Sequence, residues 1–260
     1  MNSHGISRRK AGEKKDEEAA IKRYQTVFQE FIKARTEKNG NEENQEQKRQ
    51  RLLETSAALV EMNPECPTAW NERRRALKEV KDDVLKTELE LTRGALAKAP
   101  KCYGVWEHRR WVLGQMEHPL WENELKAAEA LLGRDARNFH AWQYRRIAAA
   151  HARSPTETEL AYTANKIAAS FSNYSAWHYR ASLIGDDVEN RLASELALVR
   201  DALWTDPGDQ SAWMYHWWLC RHADVATVDS ELDMLHELDE LEPDSKYIQL
   251  ALARLSSLSR

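Results

Sequence analysis

Trp70, Trp106, Trp142, Trp177 and Trp213 stand 36, 36, 35 and 36 residues apart. Three residues after each comes Arg73, Arg109, Arg145, Arg180 or, in the last copy, His216. A fixed period in this range marks a repeat array. Each tile is a small supersecondary unit that cannot bury its own apolar face and therefore stacks on its neighbours. The central tile reads Asp135-Ala136-Arg137-Asn138-Phe139-His140-Ala141-Trp142-Gln143-Tyr144-Arg145-Arg146.

Within the period, each tile predicts a first helix, a short polar or Pro-containing turn, and a second helix holding the Trp. Pro64, Pro100, Ala136, Phe171, Pro207 and Pro243 occupy equivalent turn positions. The register thus continues into a sixth, degenerate copy in which Gln249 replaces the Trp. First helices are expected near 48–62, 83–99, 119–133, 155–170, 188–205 and 226–241. Second helices are expected near 67–80, 102–115, 138–152, 173–184, 209–222 and 244–257. Ahead of them, Ala20, Tyr24, Val27, Phe28 and Phe31 fall at three-to-four spacing, so an amphipathic helix is expected over 16–34. Residues 1–15 read as a mobile polar arm and 36–47 as a linker. No stretch alternates as a strand does. The expectation is an all-α chain, with one helical-repeat domain from residue 16 to residue 260.

Charged residues make up 31% of the chain and mean hydropathy is −0.74, which fits strongly amphipathic helices. No apolar run approaches the roughly 20 residues of a membrane span, and residues 1–18 lack the apolar core of a secretory signal. Cys66, Cys102 and Cys220 form no CxxC pair, so a reduced, cytoplasmic setting is expected. Cys66 and Cys102 hold equivalent places in successive tiles and read as small core residues. Residues 201–260 hold twelve Asp/Glu against four Lys/Arg, a net charge of −8 within a total of −4. Phosphate binding needs clustered Lys/Arg, which argues against nucleic acid at that end.

The Trp series reads as core, since aromatics at helical period are packing residues. Trp142, Ile147 and Ala150 suggest the stripe on which the next pair packs. The Arg series reads as tiling too, with stems over the apolar seam and guanidinium groups on carboxylates such as Glu88, Glu90 or Glu129. Sites belong where tiles differ, and the turn before each Trp helix is such a place. There Tyr103, Phe139 and Tyr174 stand three residues before a Trp, beside the cations Lys101 and Arg137 and the amides Asn138 and Asn173. Helix N-termini favour anions, so an aromatic and basic rim suits an apolar chain bearing a phosphate. The competing reading makes Asn138 and Asn173 N-caps and the aromatics staples. No HExxH, GxxxxGK[ST], GxSxG or GxGxxG occurs, so catalysis by this chain alone is not indicated and no metal site is expected in it.

The Asn-x-x-x-Trp-x-x-Arg core on a period near 35 residues resembles the repeat of protein prenyltransferase α subunits, from about Glu61 onward. Three stretches resemble the branch that modifies Rab GTPases, protein geranylgeranyltransferase type II. They are Arg137-Asn138-Phe139-His140-Ala141-Trp142, Asn173-Tyr174-Ser175-Ala176-Trp177-His178-Tyr179-Arg180, and Asp206 to His216. The farnesyltransferase and type I α subunit typically has Lys-Asn-Tyr at the first stretch, so Arg137 and Phe139 discriminate. His4-Gly5 resembles the opening of some members but lies behind three further residues, and no metal role is assigned to it.

The resemblance implies a right-handed superhelical array of hairpins wrapped around a β subunit that carries Zn²⁺ and the prenyl-diphosphate pocket. This chain then binds no cofactor itself. A zinc-bound thiolate of the Rab GTPase attacks C1 of geranylgeranyl diphosphate, and diphosphate leaves. Arg137 is the expected catalytic residue, stabilising charge on the leaving oxygens at the α/β seam. Lys101 assists, and Tyr103, Asn138, Phe139, Asn173 and Tyr174 line the seam. A Rab escort protein docks, in the family, on the outer face of later helices, the half that holds the acidic stretch Thr227–Leu241. That stretch also reads simply as a solvated face. Larger animal members add an immunoglobulin-like insert and leucine-rich repeats, for which 260 residues leave no room. The alternatives are the farnesyltransferase or type I α subunit, and a helical scaffold with no part in chemistry.

Overall fold

The computed structural model describes residues 11–37, 42–78 and 80–259. Among them it places thirteen α-helices and no strand. They are α1 (Ala11–Thr36), α2 (Glu42–Met62), α3 (Pro67–Ala76), α4 (Asp82–Lys98), α5 (Tyr103–Gln115), α6 (Trp121–Arg134), α7 (Phe139–Ala152), α8 (Thr156–Ala169), α9 (Tyr174–Ile184), α10 (Val188–Thr205), α11 (Gln210–Cys220), α12 (Val225–Leu241) and α13 (Lys246–Leu255). A 3₁₀ turn, Gly185–Asp187, joins α9 to α10. Its Gly185 has φ of +51°, which a side chain would resist.

All six expected hairpins form, α2/α3 through α12/α13, preceded by α1. Two expectations need correction. Residues 11–15 belong to α1 and not to an arm, and α2 begins at Glu42, inside the expected linker. Polarity suggested disorder, but Glu, Gln and Lys are good helix formers and extend a helix once packing anchors it. The rest of the arm, His4 and Gly5 included, and linker residues 38–41 lie outside the described residues.

By its contacts the chain divides into two compact units, Met1–Leu120 and Trp121–Arg260, with the boundary between the second and third hairpins. In the C-terminal unit the second helices follow one another, α7 on α9, α9 on α11 and α11 on α13. In the N-terminal unit α3 meets α5, and α2 meets α4. All five repeat tryptophans are buried. On α7 the buried stripe is Ala141, Trp142, Tyr144, Arg145, Ala148 and Ala149, whereas Ala150, assigned to it from spacing, is exposed.

The arginine series is structural, and of the partners expected for it Glu88 is one, whereas Glu90 and Glu129 are not. Glu88, Glu124, Glu159, Glu195 and Glu231 are buried, one on each first helix from α4 to α12. Arg73 donates through Nε to Glu88 at 2.7 Å and through its NH1 to Leu53 O at 2.6 Å and Ser56 Oγ at 2.9 Å on α2. One guanidinium thus joins three helices. Arg145 forks onto Glu159 with two bonds of 2.9 Å and lies 3.3 Å from the centre of the Tyr162 ring. Arg180 forks onto Glu195 at 2.6 and 2.7 Å and donates to Leu160 O and Thr163 Oγ1. Glu90 and Glu129, by contrast, are exposed, and Glu90 pairs with its neighbour Arg93.

Four of the five glutamates meet a second partner from their own hairpin, two residues past the Trp. Tyr144 donates to Glu124, Tyr179 to Glu159 at 3.2 Å and Tyr215 to Glu195 at 2.7 Å. His108 Nε2 lies 2.6 Å from Glu88. In the fifth tile His216 replaces Arg, at 2.9 Å from Glu231, and Arg200 completes the set. Taking both ions out of water costs several kcal/mol each, which only such saturation offsets.

Arg145→Ala should therefore leave Glu159 buried without its main partner and lower stability by about 3–5 kcal/mol. Tyr179→Phe should cost about 1 kcal/mol, and urea denaturation of both variants checks the ratio. The Glu88 carboxyl lies in a desolvating site, but Arg73 and His108 hold it down at about 2, against an ordinary 4.5. Desolvation likewise depresses His108 below its ordinary 6.5. In both cases the unfolded chain takes up protons first. Stability should fall as pH drops below about 6.5 and further between about 4.5 and 2. Glu88→Gln should flatten the lower part of that profile, measured by denaturation at stepped pH.

Candidate functional site

Six connectors lead into the second helices. Each holds four residues, 63–66, 99–102, 135–138, 170–173, 206–209 and 242–245. The indole N–H closes five of them. Trp70, Trp106, Trp142, Trp177 and Trp213 each donate to the carbonyl six residues back, at 2.7–2.9 Å. The turn before every Trp helix is thereby held in one geometry, whatever side chains it carries.

Asn138 and Asn173 are N-caps. Asn138 Oδ1 accepts from the His140 and Ala141 amides at 3.0 and 3.2 Å, and Asn173 Oδ1 from the Ala176 amide at 3.2 Å. Asn173 also donates through Nδ2 to Ala136 O at 3.0 Å, the carbonyl that accepts the Trp142 indole. Cys102 Sγ makes the equivalent contact with Pro64 O at 3.4 Å. One carbonyl thus joins a turn to its own helix and to the next turn. Both asparagines are buried.

The aromatics are not staples. Tyr103, Phe139 and Tyr174 are 65%, 61% and 50% exposed, among the most exposed large apolar side chains described. Lys101 and Tyr103 belong to the N-terminal unit, where both are exposed. In the C-terminal unit Arg137 is exposed, its amide donates to Asp135 Oδ1 at 3.0 Å, and its guanidinium donates to Ser172 Oγ in the next turn. Arg137 therefore runs across two adjacent turns beside Phe139.

Phe139, Trp142, Arg146, Ile147, Tyr174 and His178 line a groove of 580 Å³ between α7 and α9. Arg146 donates to His178 Nδ1 at 3.4 Å along it. Sequence reasoning missed Arg146 and His178, although Arg146 lies seven residues after Phe139 and His178 four after Tyr174, the spacings that put side chains on one helix face. The groove pairs aromatic walls with one cation, Arg146, which suits an apolar chain or a partner surface with negative charge nearby. Among the described residues no group of His, Cys, Asp and Glu could hold a metal ion. The three cysteines are buried and unbridged, and burial pushes the Cys220 thiol up to about 12. Asn173→Ala should cost about 1–2 kcal/mol through the lost cap, read by thermal denaturation.

A pattern described as the protein prenyltransferase alpha subunit repeat matches residues 85–116, 121–152, 156–186 and 192–223. Each match takes in one first helix and the Trp helix after it. Proteins named geranylgeranyl transferase type-2 subunit alpha are similar in sequence. That of Sus scrofa is 37% identical over 229 residues, covering 80% of this chain and 39% of the relative. That of Schizosaccharomyces pombe is 31% identical over 136 residues, covering 41% of this chain and 40% of the relative. This chain matches well under half the length of these relatives. Among solved structures, Candida albicans protein geranylgeranyltransferase-I complexed with GGPP superimposes with a TM-score of 0.73, covering 90% of this chain and 79% of that one at 20% identity, which shows the shared fold. With the repeats in register with the observed hairpins, this chain belongs to the protein prenyltransferase alpha-subunit family.

Proposed function

We propose that this chain is the α subunit of a protein geranylgeranyltransferase type II. It would support transfer of geranylgeranyl from its diphosphate to C-terminal cysteines of Rab GTPases. The observation that carries the reading is the exposed row of Arg137, Phe139 and Tyr174 on turns of constant length. It is supported by relatives of that name from animals and yeasts. No helix among the described residues is long and apolar enough to cross a membrane, which accords with a cytoplasmic enzyme.

Among its described residues the chain offers no metal-ligand cluster, and its three cysteines are buried. We therefore assign the zinc ion and the prenyl-diphosphate pocket to a β subunit seated on the exposed turns. Arg137 contributes a guanidinium that strengthens its hold as negative charge grows on the departing diphosphate oxygens, which lowers the barrier to C1–O cleavage. Phe139 and Tyr174 contribute apolar walls. Asn138 and Asn173 act by holding the turns that present them. Lys101 and Tyr103 hold the same register in the N-terminal unit and are assigned the same kind of surface. An escort protein for the Rab substrate fits the same reading, with the acidic α12 as its place on the chain.

Co-expression with a type II β subunit should yield a heterodimer that geranylgeranylates a Rab with C-terminal cysteines. A heterodimer without that transfer, or one that modifies only single CaaX-box cysteines, would sink the proposal. In the active heterodimer Arg137→Ala should lower kcat by roughly 10²–10³-fold, with affinity for the prenyl diphosphate changed less. Unaltered turnover would return Arg137 to a structural role on Ser172.

A further inference from the structure

In the C-terminal unit, a repeat Trp packs on the ring two residues past the next Trp. Trp177 meets Tyr215 at 4.8 Å between ring centres, and Trp142 meets Tyr179 at 6.2 Å. In the N-terminal unit Trp70 meets His108 at 4.7 Å. The degenerate last tile breaks this series. Gln249 stands at the Trp position and Ala251 at the position of the ring. Among the described residues the ring partner of Trp213 is His216 of its own helix, edge-on at 5.9 Å.

A cavity of 290 Å³ opens there between α11 and α13, lined by Trp213, Trp217, Met214, Leu250, Ala251 and Arg254 among others. An apolar hole of about 150 Å³ already admits a benzene ring. At its side the Arg254 guanidinium lies over the Trp217 ring, 5.2 Å from the ring centre, and makes no ion pair with a described residue. Met214 and Leu250 at the rim are 49% and 44% exposed. The array itself supplies the shape of the missing group, an aromatic ring set against Trp213. The exposed Arg254 guanidinium supplies the charge, which calls for a carboxylate within its reach.

We propose that this cavity is a docking site for an aromatic side chain carried next to a carboxylate on a partner protein, a Tyr-Glu type of segment that completes the aromatic series in trans. The partner's ring takes the place left by Ala251, and its acid pairs with Arg254.

The test uses the full chain labelled with ¹⁵N, reading the indole N–H resonances of Trp213 and Trp217. The probes are the peptides acetyl-Gly-Tyr-Glu-Gly-amide and its Tyr-Gln counterpart. The first should shift both resonances saturably, and the second should bind roughly tenfold more weakly for want of a charged hydrogen bond. Ala251→Tyr, which fills the hole from within, should abolish the shifts, and Arg254→Gln should make the two peptides equal. Absence of saturable shifts, equal affinity of the unaltered chain for both peptides, or undiminished binding to folded Ala251→Tyr would each overturn the proposal. If Ala251→Tyr does not fold, Arg254→Gln decides alone, since a Tyr-Glu preference that survives it is incompatible with the assigned contact.

Discussion

The structure depends on a buried carboxylate. An apolar seam between two helices can slide, because dispersion and hydrophobic burial are indifferent to small shifts in register. A glutamate inside that seam is not indifferent. Glu159 and Glu195 are each met by a forked arginine from the preceding hairpin and by a phenol from their own. Only one alignment of three helices satisfies all of these donors, and every other leaves a charge buried without a partner. The gain is positional specificity. Net stability has to come largely from the tryptophans and the aliphatic seams around them.

That division of labour explains why the turns are free to carry function. The indole N–H and the capping groups hold the backbone of each turn, so residues that take no part in the holding vary from tile to tile. Phe139 and Tyr174 carry such side chains, and Arg137 adds one side-chain bond, to Ser172 of the next turn. Asn138 and Asn173 stand in the same short stretch and belong to the frame. Adjacent residues in one turn thus fall into different roles according to which of them the backbone needs as partners.

Much of this was legible in the chain. The Trp period, continued by the turn position of Pro243 into the copy that lacks a Trp, placed all six hairpins, because a repeat leaves little choice of register. The exposed aromatics were legible as well, since they stand where tiles differ. Of the partners of the arginine series only Glu88 was named from the sequence, beside two residues that are not partners. Spacing along one helix says which side chains share a face, but Glu88 and Glu159 are chosen by how two hairpins dock, and Glu90 and Glu129 looked equally eligible from residue type. The polar stretch before residue 48 misled for another reason. Its Glu and Gln residues are compatible with both linker and helix, and α2 extends through them from residue 42. The gap at Ala251 was hidden because a small residue in a helix signals nothing until its neighbours are seen to expect a ring.

The connectors also bear on how such a chain can change length. Those entering the Trp helices always hold four residues, whereas those leaving them run 77–81, 116–120, 153–155, 185–187 and 221–224. The one interval of 35 between tryptophans makes the point. Arg145 and Glu159 stand fourteen apart, against fifteen for Arg73–Glu88 and Arg180–Glu195, and the shortened connector carries Arg153 at a φ of +53°. The missing residue was absorbed at the end of α7, leaving the display turns untouched. The connectors entering the Trp helices are thus constant in length and those leaving them are permissive. Added residues can enter at the permissive connectors without altering the four-residue turns that expose Arg137, Phe139 and Tyr174.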